Sequence, residues 1–494
     1  CANDFISNQT LDKCGDGVCD VEEKSNLCPK DCEEQVFQPT PNTSITPIVP
    51  ITSDKGTDSP FGIQGFAEEL KSNDFKNALK AGVKWIRIDG INAMVWDLVE
   101  RNKGTYNWDK TDQTASKLFQ NGFNIVWMTK SFNRWDQGIT QPTGNLKLPK
   151  NLNAYANFLS TAAERYDGDG INDAPGSPVV NYWQIENEVD GNFWDDTPQA
   201  YASLLKTSYE TIKKANSNAK VLISGAGTPK GFYNFHTAAL KELANLNDKY
   251  FDIMDVHWYE SAGDYKEHPI GNYVLVSFMQ DLRTKLSSYG YGDADIWFTE
   301  TGTYSGSHVL DKQGNIKPSQ GESVQAAELI KRYIHFTANG VRKVFWHHMG
   351  EGSSKGGDND YFLNVGLIYN GRGSDDLGLN VKKLAYYSYQ KMTEILEGSD
   401  WNNTQKIQES GNVYIYKFTK NDKPIWVAWN DNNQTKTVNL DVGSVSSVKI
   451  TEAVPKYESG KSVIDYSSAF NTESKTVQNG QITLTLNDVP VFVE

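Results

Sequence analysis

The sequence predicts an α/β protein whose largest part is a (β/α)8 TIM barrel. Between residues 60 and 396, eight short apolar runs alternate with segments of helical spacing, the pattern of a barrel of parallel strands. Residues 397–494 carry short alternating strands and turn dipeptides with little helix, which predicts a C-terminal antiparallel β-sandwich. All five cysteines fall within residues 1–32, so a small disulfide-rich module is expected before the barrel.

The predicted barrel strands are separated by helical segments such as YANFLSTAAERY and ESVQAAELIKRYIHFTANG. A doubly wound sheet would also alternate strands with helices, but the Gly-rich phosphate loops of that fold are missing from the sequence. We therefore predict a barrel. Its strands, in chain order, are FGIQGF (61–66), WIRID (85–89), NIVWMTK (124–130), NYWQIENE (181–188), KVLISGAG (220–227), FDIMDVHWY (251–259), DIWFTET (295–301) and KVFWHHM (343–349).

The cysteines of the N-terminal module indicate an oxidising compartment. Cys14, Cys19, Cys28 and Cys32 predict two local disulfides, because spacings of four, eight and three intervening residues are not those of a typical zinc site. The segment resembles small extracellular modules of the pattern C-G-D-G-x-C-D. Cys1 stands first, as the lipidated residue of a mature lipoprotein does, so we expect membrane-surface anchoring there; a free thiol or an arbitrary chain boundary is the alternative.

Residues 33–59 are rich in Pro, Thr and Ser, and this composition predicts an extended linker.

Composition excludes several classes of partner. The net charge of −14 repels nucleic-acid phosphate and anionic lipid, whereas a neutral polysaccharide meets no such obstacle. No apolar run reaches the length of a membrane-spanning helix, so we expect membrane contact only through the anchor on Cys1. We predict an extracellular protein, held at the cell surface as a lipoprotein.

Polar side chains gather at the carboxyl ends of the predicted strands, where barrel active sites lie. Strand four ends in Asn187 and Glu188, strand seven reaches Glu300, and strand two contains Arg87. Cleavage of a glycosidic bond needs one carboxylic acid to protonate the departing oxygen and a second carboxylate to attack C1 or activate water. Strands four and seven face each other across a barrel mouth, so the two glutamates can form such a pair.

These motifs resemble those of clan A glycoside hydrolases over residues 61–395: W-Q-I-x-N-E on strand four, I-W-F-T-E on strand seven, H-W-Y on strand six and F-W on strand eight. The resemblance implies a retaining enzyme that needs no cofactor for catalysis, with Glu188 as acid/base and Glu300 as nucleophile. Further implied roles are contact with the sugar 2-hydroxyl for Asn187, contact with the nucleophile for Arg87 and Tyr259, a place lining the site for His257, and a platform beneath the cleaved sugar for Trp346.

Strand alternation alone does not select the acid. Glu186 lies two residues before Glu188 and so is expected on the same face, and only the family pattern and the position at the strand end favour Glu188. The residue after Asn-Glu in the family is often Pro, whereas here it is Val189. The adjacent His347 and His348 point to opposite faces of a strand, which favours packing or substrate hydrogen bonding over a shared metal.

The loop DGDGINDAPG (167–176) has a second pattern of interest. Asp167, Asp169 and Asp173 alternate with glycine, as in acyclic Ca²⁺ loops. The alternative is a solvent-exposed turn, which Asp and Gly favour on their own. A bound Ca²⁺ would be structural and would brace the loop.

The expected substrate is a neutral β-linked glycan or oligosaccharide. Aromatic residues near the strand ends could line an extended cleft, which favours an endo-β-1,4-glucanase or mannanase: Trp96, Trp135, Trp194, Trp258, Tyr304 and Trp346. An exo-acting β-glycosidase of the xylosidase or glucosidase type is the alternative within this class. A lipid-tethered glycan-binding protein is the alternative from another class, but binding alone needs no acid and nucleophile. The β-sandwich is expected to be a structural wedge, with carbohydrate binding as its alternative.

Overall fold

A computed structural model describes residues 58–66, 74–89, 94–138, 146–246, 248–259, 274–307, 309–310, 314, 316–352, 360–372, 375–432 and 434–494. The predicted cysteine module, its five cysteines and nearly all of the linker lie outside these residues, so the disulfide and anchoring predictions are not addressed by the structure. In the described part of the chain, no helix is both long and apolar enough to cross a membrane.

The central element is a closed barrel of eight parallel strands, which confirms the predicted fold class. The strands pair in chain order around the barrel, and pairing between the second and third closes the ring. They are β1 (Phe61–Phe66), β2 (Trp85–Asp89), β3 (Asn124–Lys130), β4 (Tyr182–Ile185), β5 (Lys220–Leu222), β6 (Ile253–Tyr259), β7 (Asp295–Gly302) and β8 (Val341–His347). Each of the eight predicted runs therefore supplies one barrel strand.

A principal helix follows each strand and covers the outside of the barrel. Two of these helices begin at side chains that accept a backbone N–H: Asn151 caps the third and Thr197 caps the fourth, in which Pro198 takes the first turn. The helices are α1 (Asp74–Lys80), α2 (Asp109–Gln120), α3 (Leu152–Arg165), α4 (Pro198–Ala215), α5 (Thr237–Ala244), α6 (Leu275–Ser288), α7 (Glu322–Ala338) and α8 (Leu384–Leu396). Short helical turns at 96–99, 134–137, 229–236 and 361–364 lie in the connections.

The inside of the barrel changes from apolar to polar along the strands. Its base is a layer of buried rings and aliphatic side chains: Trp85, Val126, Leu222, Ile253, Trp297 and Phe345. Because side chains alternate along a strand, the residue two positions later faces the same interior. On β2 that residue is Arg87, on β6 it is Asp255 followed by His257, and on β8 it is His347. The alternation therefore places a layer of polar side chains next to the apolar layer, nearer the carboxyl ends of the strands.

The C-terminal region forms two antiparallel sheets, as predicted for a sandwich. The strands are β9 (Gln405–Ser410), β10 (Val413–Lys420), β11 (Lys423–Asn430), β12 (Lys436–Asp441), β13 (Ser447–Glu452), β14 (Thr472–Thr476), β15 (Gln481–Leu486) and β16 (Val491–Val493). One sheet has the order β9-β10-β11-β16-β13-β14, and the other pairs β12 with β15. Their core contains Ile415, Trp426, Leu440, Ile450 and Leu484.

Glu322, at the start of α7, joins the barrel to this region. Its Oε2 accepts backbone N–H groups from Leu384 of α8 and from Gly460 of the β13–β14 connection, both at 2.7 Å, and its Oε1 accepts the Tyr369 hydroxyl at 2.9 Å. We expect Glu322→Ala to lower the free energy of unfolding by about 3 kcal/mol, since it leaves two buried N–H donors without an acceptor. Urea denaturation would measure this loss. Glu322→Gln keeps the acceptor oxygen and should cost less, and equal losses in the two variants would contradict the explanation.

Candidate active site

Glu188 and Glu300 meet at the carboxyl end of the barrel. One carboxylate oxygen of each, together with a ring nitrogen of His257, forms a group of atoms that all lie within 4.8 Å of one another. Both glutamates are buried, with 6% and 5% of their surface exposed. Carboxyl groups about 5–5.5 Å apart serve double displacement, whereas an inverting site needs about 6.5–9.5 Å to admit a water. An oxygen pair within 4.8 Å brings the two carboxyl groups toward the shorter of these separations.

The surroundings of Glu300 keep its carboxylate ionised. The Arg87 Nη1 donates to Oε1 at 2.7 Å, and the Tyr259 hydroxyl donates to Oε2 at 2.9 Å. Burial alone would raise the pKa of Glu300, but the positive charges of His257 and Arg87 outweigh it and lower that pKa below its usual value. An ionised carboxylate held by two donors is the form that a nucleophile requires.

The structure separates Glu188 from its sequence neighbour Glu186. The Oε1 of Glu188 lies 2.9 Å from His257 Nδ1, within the group that includes Glu300. The Oε1 of Glu186 instead accepts the backbone N–H and the hydroxyl of Ser131, both at 2.6 Å. Both glutamates have positive φ, 65° at Glu186 and 40° at Glu188, so the chain beyond β4 does not continue as a regular strand. Geometry therefore places Glu188, not Glu186, opposite Glu300.

Arg87 donates hydrogen bonds to three side chains of the site. In addition to Glu300, it donates through Nη2 to Asn187 Oδ1 and through Nε to Gln184 Oε1, both at 2.6 Å. Arg87 is fully buried, so these contacts hold its planar guanidinium in one orientation. Arg87 thereby holds the side chain of Asn187, which the family resemblance predicts to contact the sugar 2-hydroxyl.

Asp255 is a site residue that the sequence analysis did not single out. It is fully buried beneath the glutamates, where its Oδ2 accepts Gln184 Nε2 at 2.5 Å and the Thr299 hydroxyl at 2.6 Å. The same oxygen lies 3.6 Å from His257 Nε2. The available signal was the spacing D-x-H-x-Y on β6, which puts Asp255, His257 and Tyr259 on one face.

His257 carries a positive charge between the carboxylates. Burial alone would lower its pKa, but Glu300, Asp255 and Glu188 together raise it to about 10. Its imidazolium can then donate from Nδ1 to Glu188 and from Nε2 toward Thr299 Oγ1, which lies at 3.3 Å. Glycine makes this packing feasible, since a Cβ on Gly225 would lie 2.2 Å from His257 Nε2.

This raised pKa predicts how stability depends on pH. A histidine with an ordinary pKa of 6.5 and a folded value of about 10 contributes stability that is complete below about pH 6.5 and is lost as the pH rises through 10. We expect the free energy of unfolding to fall between pH 7 and pH 10 more steeply in the native chain than in His257→Asn. Urea midpoints at four pH values would test this, and parallel pH profiles would contradict the charged state of His257.

The structure contradicts the prediction that Trp346 is a platform for sugar. Trp346 is fully buried, and its Nε1 donates to the Val365 carbonyl at 2.8 Å. The physical reason is alternation along β8: Phe345 belongs to the interior layer and His347 reaches the active site, so the intervening Trp346 ring points away from the barrel interior.

Most of the other predicted aromatic contacts are also core residues. Trp194 is only 6% exposed and packs edge-on against Tyr201, so the structure does not support it as a substrate contact. Trp135 is half-buried and lies in the connection after β3, which leaves part of its ring accessible. The remaining candidates of the predicted aromatic cleft are buried: Trp96, Trp258 and Tyr304. Of the aromatic residues predicted to line a cleft, Trp135 is therefore the one that the described structure leaves partly exposed.

Phe362 is an aromatic neighbour of the site that sequence reasoning missed. Its ring lies 4.9 Å from that of Tyr259 and 5.9 Å from that of His347, and it is half-buried. It comes from the connection after β8, where no strand pattern could indicate its direction. His347 in turn lies 2.8 Å from Gln64 Oε1, and Gln64 donates to Asp89 at 3.0 Å. These groups extend the polar wall of the site toward β1 and β2.

The three aspartates of the loop after α3 do cluster. One oxygen from each of Asp167, Asp169 and Asp173 lies within 4.8 Å of the others. Ca²⁺ binding there remains a prediction, and so does the expectation that catalysis needs no cofactor. If Ca²⁺ binds, chelation should lower the thermal midpoint of the native chain but not that of a variant with Asp167→Asn and Asp169→Asn. Equal midpoints with and without chelator in the native chain would count against the site.

Comparisons with known proteins bear on the fold. No family model matches the chain. A curated relative, the β-galactosidase BgaA of Planococcus sp. (strain 'SOS Orange'), is 25% identical over 170 residues, which are 30% of this chain and 24% of that protein. The chain thus matches about a quarter of that relative's length.

Solved structures resemble the chain over most of its length. A family 39 glycoside hydrolase from Bacteroides cellulosilyticus WH2 matches with a TM-score of 0.64 and 19% identity, covering 88% of this chain and 80% of that one. A monomeric β-xylosidase from Caulobacter crescentus CB15 matches with 0.59 and 14%, covering 88% and 96%. A family 30 endoxylanase from Clostridium papyrosolvens C71 matches with 0.55 and 14%, covering 88% and 95%. At these identities the likeness is one of fold: this chain shares the architecture of those three structures.

Proposed function

We propose that this chain is a retaining glycoside hydrolase that cleaves β-linked sugars by double displacement. The observation that carries the proposal is the pair Glu188 and Glu300, whose nearest oxygens are within the 4.8 Å group and whose environments differ. Glu300 is held ionised by the charges of His257 and Arg87 and accepts hydrogen bonds from Arg87 and Tyr259, whereas Glu188 contacts His257. Different environments for two close carboxyl groups are what separate an acid from a nucleophile.

In the first half of the reaction, Glu300 attacks the anomeric carbon while Glu188 gives its proton to the departing glycosidic oxygen. The bond from C1 to the leaving group breaks as the bond from C1 to the Glu300 oxygen forms. In the second half, Glu188 takes a proton from water, and the resulting hydroxide oxygen displaces Glu300 from C1. Two inversions at C1 return the product to the β configuration.

We assign the supporting residues distinct tasks in this reaction. Arg87 and Tyr259 stabilise the charge on Glu300 before attack, and Arg87 also orients Asn187 toward the sugar. His257 contacts Glu188 at 2.9 Å and lies 3.6 Å from Glu300, so its positive charge acts on both halves of the reaction. A protein that only binds glycans would need neither an ionised nucleophile nor a second carboxyl at this distance.

For the substrate, we propose a β-1,4-linked pentose or hexose glycan, with xylosides as the first to be tried. Two of the matching structures are a β-xylosidase and an endoxylanase. The burial of Trp194 and Trp346 removes much of the support for an extended aromatic cleft, and with it much of the support for an endo-glucanase or mannanase. Exo-acting cleavage of short β-xylosides or β-glucosides is therefore the leading form of the proposal. An extracellular location rests on the cysteine module and remains a prediction.

The proposal is tested by activity and by the configuration of the first product. Aryl β-xyloside, β-glucoside, β-galactoside and β-mannoside, with xylan, β-glucan and mannan, form the panel, and Glu300→Gln is the matched inactive control. Proton NMR of a turned-over substrate should show the β-anomer first, with the α-anomer arising later by mutarotation. Initial release of the α-anomer would contradict double displacement, and no turnover across the panel would contradict the substrate class.

A further inference from the structure

One cavity lies at the opposite end of the barrel from the glutamates. It has a volume of about 340 Å³ and is lined by the amino ends of β4 to β8, including Tyr182, Trp297 and Lys343. That volume is at the small end of the range of ligand pockets, about 300–1,000 Å³, and suits a molecule the size of a monosaccharide. Nothing in the proposed glycosidase mechanism uses this cavity.

Lys343 lines this cavity, and its amine lies near the apolar rings at the base of the barrel. It is 5% exposed, and its Nζ lies 5.1 Å from the ring centre of Trp85 and 5.9 Å from that of Trp297. Burial, together with the charge of the neighbouring Arg342, lowers the pKa of Lys343 to about 8. Desolvation and an adjacent cation are the two conditions under which a lysine amine becomes nucleophilic near neutral pH.

Lys343 differs from the other lysines around the cavity in its burial, because Lys220 and Lys249 are exposed. Asp58, Asp295 and Glu397 act against the lowering of its pKa, without cancelling it. The two other lysines of the lining are ion-paired at the surface: Lys249 with Asp293 at 2.5 Å and Lys220 with Asp252 at 3.8 Å. These two lysines are therefore internal controls in the same cavity.

We propose that Lys343 is a covalent modification site that condenses with a small aldehyde, such as the open-chain form of a reducing monosaccharide. The amine nitrogen bonds to the carbonyl carbon, the resulting carbinolamine loses water, and an imine remains. Asp58 and Asp295 line the same cavity and can carry the protons that this dehydration moves. The step needs no oxidant or reductant, and it does not depend on the proposed hydrolase activity.

The test uses the full chain with glycolaldehyde or D-xylose and cyanoborohydride, which reduces an imine to a stable amine, followed by peptide mass spectrometry. At pH 7 an amine of pKa about 8 is roughly 200-fold more deprotonated than an ordinary lysine of pKa about 10.4. We expect the native chain to be labelled at Lys343 several-fold faster than at Lys220 or Lys249. In urea the three lysines should react alike, because unfolding removes the cavity.

The variant Lys343→Arg tests whether the amine itself reacts. It retains a cation near the rings but cannot form the imine, so position 343 should no longer be labelled, while Lys220 and Lys249 react as before. Hydrolase activity, whatever its substrate, should be unchanged in Lys343→Arg, which distinguishes failure of this inference from failure of the proposed function. Labelling of Lys220 or Lys249 ahead of Lys343 in the native chain, or equal labelling of Lys343 with and without urea, would overturn the proposal.

Discussion

Replacing Glu300 by Gln is expected to lower kcat by roughly 10⁴-fold or more, the scale of loss when a covalent nucleophile is removed. Gln has the shape of Glu but no charge: its amide oxygen can still accept from Arg87 and its NH2 group can donate to the Tyr259 hydroxyl, but it cannot attack the anomeric carbon. The rate of aryl β-glycoside hydrolysis measures the loss. Because the side-chain volume is preserved, the thermal midpoint should change far less than the rate.

Glu186→Gln is the matched control for this variant. Glu186 is also buried and is also held by hydrogen bonds, but its partner is Ser131 and not the catalytic pair. We expect Glu186→Gln to retain most of the activity on the same substrate. If Glu186→Gln were as inactive as Glu300→Gln, or if Glu300→Gln kept a substantial rate, the assignment of the nucleophile would be wrong.

The second large effect is expected for Glu188→Ala. Loss of a general acid costs roughly 10²–10⁴-fold in rate, and the cost should be largest for substrates with poor leaving groups, which depend most on protonation. For an activated aryl glycoside the first step should be nearly intact, while the second step slows because no base remains to activate water. A burst of aryl alcohol followed by slow turnover is therefore expected, and stopped-flow absorbance would record it.

Rescue by azide is an independent test of the acid/base role of Glu188. A small anion can enter the space left by the Glu188 side chain and attack the glycosyl enzyme without a general base. We expect azide to accelerate turnover of Glu188→Ala and to yield a β-glycosyl azide, but to leave the native chain and Glu300→Gln unaffected. An α-glycosyl azide, or rescue of Glu300→Gln in place of Glu188→Ala, would reverse the two roles.

The sequence was sufficient for the barrel because the signal there is repeated. Each strand carries a compact apolar run, and alternation along β2 and β6 predicts that Arg87 and His257 face the barrel interior. Glu300 does not follow from alternation, because the pairing of β6 with β7 shifts register after Asp255 and Trp297, so that Glu300 lies opposite His257. The same rule, applied carefully, would have rejected Trp346, since it lies between two interior-facing residues of β8.

Other parts of the site depend on structure that local patterns do not encode. The choice between Glu186 and Glu188 follows from positive φ values beyond β4, which no alternation rule anticipates. Phe362 reaches Tyr259 from a connection whose direction is set by tertiary packing. Asp255 resembles an ordinary buried residue in sequence, and its importance appears only when both of its hydrogen-bonding partners, Gln184 and Thr299, are seen together.

Asp255 also has a consequence for how variants of this protein combine. One arm from its carboxylate runs through Gln184 to Arg87, and the other reaches His257 directly, so one buried anion is shared by the two cations of the site. Perturbing either cation changes the charge that Asp255 presents to the other. The losses of activation free energy caused by substituting Arg87 and His257 should therefore not be additive. A double-mutant cycle would measure the coupling free energy between these two residues, and through them the coupling of the nucleophile with the acid.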